Sequence, residues 1–181
     1  MAPADAENDV KSIGNSTTTP RDLRCDKDAE IVFWMLCESV AARLRAQGLL
    51  CRTVQIGLRT NDLLYFERQK KLPRASCLAS ELHEAAMELL RGQYGWQKPL
   101  RSIGVRGTEL SPASTPFQLS LFESAEKLEK RESLERTVDD IRRRFGHHSI
   151  SRAAVLSDPT LTNINAKDDH VIHPVGFFKA V

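Results

Sequence analysis

Two segments of the chain concentrate side chains that can hold phosphate groups. Residues 11–18 carry hydroxyl, amide and ammonium donors around Gly14, which lets a ligand approach the backbone closely. Residues 68–71 form the densest run of positive charge. The polar and basic residues that we expect on one exposed surface are Lys11, Ser12, Asn15, Ser16, Thr17, Thr18, Arg52, Arg59, Arg68, Gln69, Lys70, Lys71, Arg74, Arg101 and Arg106. Such a set is suited to gripping phosphates without reading bases.

The basic run at 68–71 has a second explanation. Lysines on a solvated edge strand block aggregation, and an isolated run of this kind usually has that role. The polar segment at 11–18 and the arginines near residue 106 favour contact with a nucleic-acid backbone instead.

An apolar pentapeptide at residues 118–122 indicates a different chemistry. It follows a break that contains Pro and Ser, where a solvated linker gains nothing from exposing Leu119, Leu121 and Phe122. These side chains would fit a hydrophobic pocket on another protein, with Gln118 hydrogen-bonding at its rim. The alternative is that they fold back onto the core of their own domain.

Pairs of acidic residues and of histidines are poor candidates for metal sites. Adjacent carboxylates on a helix, such as Asp139 and Asp140, diverge by about 100°. The pairs His147/His148 and His170/His173 lack further ligands at suitable spacing. We therefore expect no catalytic residues, no metal and no cofactor in this chain.

Composition points to a soluble, cytoplasmic protein. The chain has 181 residues, of which 41% are hydrophobic and 28% are charged. No apolar run approaches the roughly 18 residues of a membrane span, and the first residues do not resemble a signal peptide. Four widely spaced cysteines suggest reduced thiols. Residues 11–110 hold 16 basic and 11 acidic side chains, so most of the positive charge lies there.

The apolar periodicity predicts the order β-α-β-β-α-β. Strands are expected at 11–19, 50–59, 65–72 and 99–110, and helices at 26–47 and 79–91. This order predicts an α+β domain, a four-stranded sheet with two helices on one face. The other face would be exposed or would meet a partner.

A helical and flexible extension is expected after this domain. The predicted helix at 123–145 has a narrow apolar stripe, Leu134, Val138, Ile141 and Phe145, which suggests weak docking. We divide the chain into a flexible N-terminus (1–10), a domain (11–110), a linker with the pentapeptide (111–122), a helical extension (123–156) and a mobile tail (157–181).

Residues 11–22, 38–44, 52–56, 68–72 and 103–106 resemble successive motifs of one known domain. It is the little finger domain of Y-family translesion DNA polymerases, in the UmuC/DinB-like branch of Gram-positive bacteria. The resemblance covers residues 11–156 and runs in order through every predicted element.

The resemblance implies a fold and a function. The family's little finger has the β-α-β-β-α-β fold and contacts DNA backbone in the major groove through its sheet. The corresponding positions here are Lys11, Ser12, Gly14, Asn15, Ser16, Thr17, Arg68, Gln69, Lys70, Lys71 and, less closely, Arg106. Gln118, Leu119, Leu121 and Phe122 are similar to the sliding-clamp-binding motif of bacterial polymerases.

The resemblance also implies what this chain lacks. The family's catalytic carboxylates and magnesium ions lie in a palm domain that precedes the little finger, and nothing before Lys11 could supply a palm. We therefore expect a monomer that binds primer–template DNA and the clamp, without polymerase activity of its own.

Two alternatives remain. An RNA-binding module shares this sheet, but stacks bases on sheet aromatics, where this chain has mainly Ser, Thr, Gln, Lys and Arg. A regulatory adaptor would bind the clamp and not DNA.

Overall fold

The computed structural model, which describes residues 10–115 and 124–162, confirms the predicted α+β fold. The elements of the main domain are β1 (Ser12–Leu23), α1 (Asp26–Ala46), β2 (Leu49–Thr60), β3 (Tyr65–Ser76), α2 (Ala79–Gln93) and β4 (Leu100–Pro112). They are followed by α3 (Ala125–Phe145), two 3-10 turns (His147–Ser149 and Ala153–Ser157) and α4 (Pro159–Thr162).

The sheet is antiparallel throughout, with the strand order β1-β4-β2-β3. Helices α1 and α2 pack together on one face, which we call the covered face. Ile56 pairs with Val105 in neighbouring strands, and both side chains are buried with Phe33 of α1. The alternation of β2 predicted the burial of Ile56, since Val54 and Ile56 are apolar and Gln55 between them is polar.

Both edge strands continue past the prolines at which the sequence predicted their ends. Strand β1 runs past Pro20 to Leu23, and β3 runs past Pro73 to Ser76. Each strand pairs on one side only, so a missing N–H can face outward at no cost to the ladder. The pairing registers also shift near both prolines, as expected where a strand is irregular.

Helix α3 docks through charged groups rather than through the predicted apolar stripe. Leu134 and Phe145 are 64% and 75% exposed. Both carboxylate oxygens of Glu135 accept hydrogen bonds from the backbone amide of Ala79, at 3.0 and 3.1 Å. Arg45 of α1 pairs with Glu135 and, at 2.7 Å, with Asp139. Complementary charges on α1 and α2 therefore position the helix, and the strength of its docking stays a prediction.

The segment after α3 returns to the main domain. Leu161 is fully buried among the core residues, and Asp158 accepts a hydrogen bond from Arg21 of β1 at 2.7 Å. The first residues of the predicted mobile tail at 157–181 are therefore packed against the main domain. Its remainder, and all but the last residue of the N-terminus predicted to be flexible, lie outside the described residues.

Candidate nucleic-acid interface

The face of the sheet turned away from α1 and α2, which we call the open face, has few large apolar side chains. Cross-strand pairing places on it Ser12, Gly14, Ser16 and Thr18 of β1, Ser102, Gly104, Arg106 and Thr108 of β4, Gln55, Gly57 and Arg59 of β2, and Tyr65, Glu67, Gln69 and Lys71 of β3. Small residues dominate its β1–β4 half. A ligand there would meet hydroxyl groups and backbone directly.

Arg106 is the basic residue nearest the middle of the open face. Its row across the sheet is Gly14, Arg106, Gln55 and Gln69. A Cβ atom at Gly14 would lie 3.0 Å from the Cβ of Arg106, so glycine leaves room for the arginine stem. The side chain is exposed, and we find no ion pair or hydrogen bond for its guanidinium within residues 10–115 and 124–162. Its charge is therefore available to a phosphate.

The basic run of β3 divides between the two faces. Gln69 pairs with Gln55 and Lys71 with Thr53, which puts both on the open face. Lys71 is 68% exposed and lies 3.4 Å from Glu109.

Arg68 and Lys70 have the opposite orientation. Lys70 forms an ion pair with Glu88 of α2, and the guanidinium of Arg68 lies 5.6 Å from the centre of the Phe66 ring. The prediction that all four residues share one surface was wrong, because side chains alternate along a strand.

The polar residues of β1 divide in the same way. Ser12, Gly14 and Ser16 are on the open face, and Lys11 is exposed just before the strand. Thr17 is only 2% exposed, and the Asn15 amide donates a hydrogen bond to Ser39 of α1 at 3.1 Å. Placing Asn15 and Thr17 on the exposed surface was therefore wrong.

Three other arginines that were predicted on the exposed surface differ in their surroundings. Arg74 is 8% exposed and pairs with Glu81 of α2 at 2.5 Å, so it does not belong to the surface. Arg52 donates a hydrogen bond to the Pro73 carbonyl at 2.6 Å. Arg101 is exposed, beside an irregularity in β4 pairing.

A cluster around Glu67 was missed in the sequence. The Glu67 carboxylate accepts hydrogen bonds from the Tyr65 hydroxyl and from the Gln55 amide, each at 2.6 Å. Burial, followed by the bond to Glu67, raises the pKa of the Tyr65 phenol. Alternation along β3 puts Tyr65, Glu67, Gln69 and Lys71 on one face, and that signal could have found the cluster.

Gln118, Leu119, Leu121 and Phe122 lie outside the described residues. Within the ranges that the structure describes, no three His, Cys, Asp or Glu residues form a group that could hold a metal ion. None of the helices there is long and apolar enough to cross a membrane.

Comparisons with known proteins identify the family. Residues 10–121 match the impB/mucB/samB family C-terminal domain. The chain is 41% identical over 164 residues to DNA polymerase IV of Acetivibrio thermocellus, covering 91% of this chain and 41% of that protein. It is 34% identical over 151 residues to DNA polymerase IV 2 of Bacillus subtilis, covering 81% of this chain and 35% of that protein.

A solved complex of a beta-clamp processivity factor with the little finger domain of PolIV is 20% identical, with a TM-score of 0.45, over 62% of this chain and 99% of that one. The chain spans about two fifths of the length of the curated relatives it matches. The match over residues 10–121 confirms the resemblance found in the sequence: the chain belongs to the impB/mucB/samB family through its C-terminal domain.

Proposed function

We propose that the open face holds the sugar–phosphate backbone of primer–template DNA for a Y-family DNA polymerase. Relatives that match most of this chain are named DNA polymerase IV, which supports a DNA partner. The observation that carries the proposal is Arg106 at the middle of the open face. It is exposed, and within residues 10–115 and 124–162 its guanidinium has no ion pair.

The dimensions of the sheet support a duplex as the ligand. Neighbouring strands lie about 4.8 Å apart, so the outer strands of four are about 14 Å apart. The major groove of B-DNA is about 12 Å wide. Arg106 on β4 and Lys71 on β3 are two strands apart and could therefore reach separate phosphates. Contacts of this kind would position the domain on the duplex without reading its sequence.

A titration of labelled duplex tests the proposal. We expect fluorescence anisotropy of a primer–template duplex to show binding that weakens steeply with salt and hardly depends on sequence. Arg106→Ala should weaken binding to all duplexes and reduce the salt slope by about 1.

The matched control is Arg91→Ala, which removes an exposed arginine on α2 that pairs with Asp26 at 3.2 Å. It should leave both affinity and salt slope almost unchanged. Equal effects of the two substitutions, or a salt-independent affinity, would contradict the proposal.

We also propose that residues 118–122 attach the domain to a bacterial sliding clamp. Leu119, Leu121 and Phe122 supply apolar contacts and Gln118 supplies a polar one. Two attachments would raise the local concentration of the domain on DNA. Changing Leu121 and Phe122 to Ala should abolish clamp binding in a pull-down and leave duplex affinity intact. Parallel loss of both would mean that the segment is structural.

Catalysis would reside in the parts of the full-length relatives that this chain does not match. We infer that the chain alone does not extend a primer and that it tunes how firmly a complete polymerase holds damaged template. A primer-extension assay on the isolated chain should show no product, and any extension would contradict this.

A further inference from the structure

The ring of Tyr65 lies across the open face above Gly57. A Cβ atom at Gly57 would lie 2.6 Å from the Tyr65 hydroxyl and 3.3 Å from two ring carbons. Glycine at this position therefore gives the ring its place on the sheet. The side chain is nevertheless 55% exposed, so a large part of the ring is accessible to a ligand.

Arg59 completes a mixed aromatic and cationic surface with this ring. Its guanidinium carbon lies 5.6 Å from the ring centre, and the arginine side chain is exposed. Aromatic rings next to arginines are the usual platform for an unpaired base, because every base has a π-face and its phosphate carries charge. The next pair in the same row, Ser102 and Thr18, adds hydroxyl groups.

The hairpin tip next to Tyr65 presents two leucines. Leu63 and Leu64 are 67% and 59% exposed, and Leu63 has a left-handed backbone (φ 67°), which is strained for leucine. The tip is nonetheless fixed. The Thr60 amide donates to the Leu64 carbonyl and the Leu63 amide donates to the Thr60 carbonyl, each at 3.0 Å. Strain of this kind clusters at functional sites.

We propose that Tyr65 and Arg59, flanked by the two leucines, bind one unpaired nucleotide of the template strand where it leaves the duplex. The inference rests on the proposed function, because it places a single-stranded subsite next to the face that would hold the duplex. Tyr65 provides the stacking surface and Arg59 neutralises a phosphate. Leu63 and Leu64 cover the apolar edge of the base.

The polar groups at the edge of the ring favour a nucleotide over an apolar protein partner. Glu67 and Gln55 lie at the hydroxyl end of Tyr65 and could accept from or donate to the edge of a stacked base. A protein surface that buried the leucines would also cover the charges of Arg59 and Glu67, at a desolvation cost.

The test compares three labelled DNAs that share one sequence: a blunt duplex, a duplex with a 5′ template overhang, and the single strand. We expect the overhang to raise the affinity of the natural chain by at least about fivefold, a stacking contribution. Tyr65→Leu should remove this gain, so that its overhang and blunt duplexes bind with nearly equal affinity. Tyr65→Phe should keep the gain, because it keeps the ring.

A second substitution tests the position of the ring rather than its identity. Gly57→Ala places a methyl group 2.6 Å from the Tyr65 hydroxyl, so the ring must move, and the gain from the overhang should fall. An equal gain in natural and Tyr65→Leu chains, or no gain in the natural chain, would overturn the inference. Tighter binding of an RNA overhang than of DNA would overturn the assignment to template DNA.

The design separates this inference from the proposed function. If the natural chain shows no salt-dependent binding to the blunt duplex, the proposed function is contradicted, but the stacking subsite is not. Single-strand binding that depends on Tyr65 would still support the stacking subsite.

Discussion

The two sides of this sheet use charged side chains in opposite ways. On the helical side, which consists of the covered face and the helices packed there, Arg45 is 6% exposed and pairs with Glu135 and Asp139. Arg142 is 12% exposed and pairs with Glu38 at 2.7 Å. On the open face, Arg59 and Arg106 are exposed, and neither forms an ion pair within residues 10–115 and 124–162. Arg45 and Arg142 therefore hold helices of the same chain together, whereas Arg59 and Arg106 are available to a ligand.

This difference shows why a count of basic residues overstates a binding surface. A guanidinium that is already paired with carboxylates adds little affinity for a phosphate. The free energy needed to break the existing ion pair offsets the free energy of the new contact. Lys70 and Lys71 are adjacent residues of the same type on opposite faces of one strand. Lys70 pairs with Glu88 of α2, whereas Lys71 is 68% exposed and lies 3.4 Å from Glu109.

The largest expected effect concerns stability. Burial raises the pKa of Glu135, opposed by the Ala79 amide and Arg45, and its carboxylate joins α1, α2 and α3. Glu135→Ala should destabilise the fold by about 3 kcal/mol in chemical denaturation, because it leaves Arg45 buried with one partner fewer. Duplex affinity should not change.

Glu129→Ala, an exposed position on the same helix, is the matched control and should have almost no effect. If Glu135→Ala reduced duplex affinity in the folded chain, the separation between the two sides would be wrong.

A pH dependence of stability should also arise on the helical side. His83 stacks on Trp34 with ring centres 3.8 Å apart, and burial lowers its pKa from 6.5 to about 4. The unfolded chain binds more protons between these values, so His83 makes stability fall as pH drops from about 6.5 towards 4. The slope is at most about 1.4 kcal/mol per pH unit.

His83→Phe keeps a ring on Trp34 and cannot be protonated. Urea denaturation across this pH range should show a flatter dependence for His83→Phe than for the natural chain. Identical slopes would contradict the assignment to His83.

The sharpest comparison uses the two lysines of β3. Lys71→Ala should weaken duplex binding roughly threefold and lower its salt slope, since one phosphate contact is lost. Lys70→Ala removes the same charge from the other side, where it pairs with Glu88, and should have a smaller effect on both. Anisotropy titrations at two salt concentrations measure this, and a reversed order would place the interface on the helical side.

The smallest effect is expected at Glu67, the carboxylate of the open face. Glu67→Gln keeps the approximate shape and removes a negative charge near Arg59 and Arg106. Duplex affinity should rise roughly twofold at low salt and less at high salt, because surface charges are screened. Weaker binding would mean that the carboxylate contributes a direct contact.

Periodicity in the sequence was sufficient to predict the fold but not to assign every polar side chain. Apolar alternation placed Val54, Ile56 and Leu58 correctly towards the helices. It could not separate Thr17 from Ser16, because both are small and polar and only the pairing of β1 with β4 orients them. The position of Tyr65 over Gly57 depends on a cross-strand contact that no local pattern reveals.

The docking of α3 shows a second limit. Its apolar stripe suggested weak attachment, whereas ion pairs to residues about 90 positions earlier determine which side it buries. Such long-range pairs have no local periodicity. The resemblance to the family, in contrast, was visible in the sequence because it extends through every element in order.

The most direct test of the difference between the two sides is an NMR titration of the labelled chain with primer–template duplex. We expect amide shift changes to concentrate on the open face, around Ser16, Gly104 and Arg106, and to extend to Lys71. The exposed sides of α2 and α3 should change little. Shift changes concentrated on α2 and α3, with an unchanged sheet, would contradict the account.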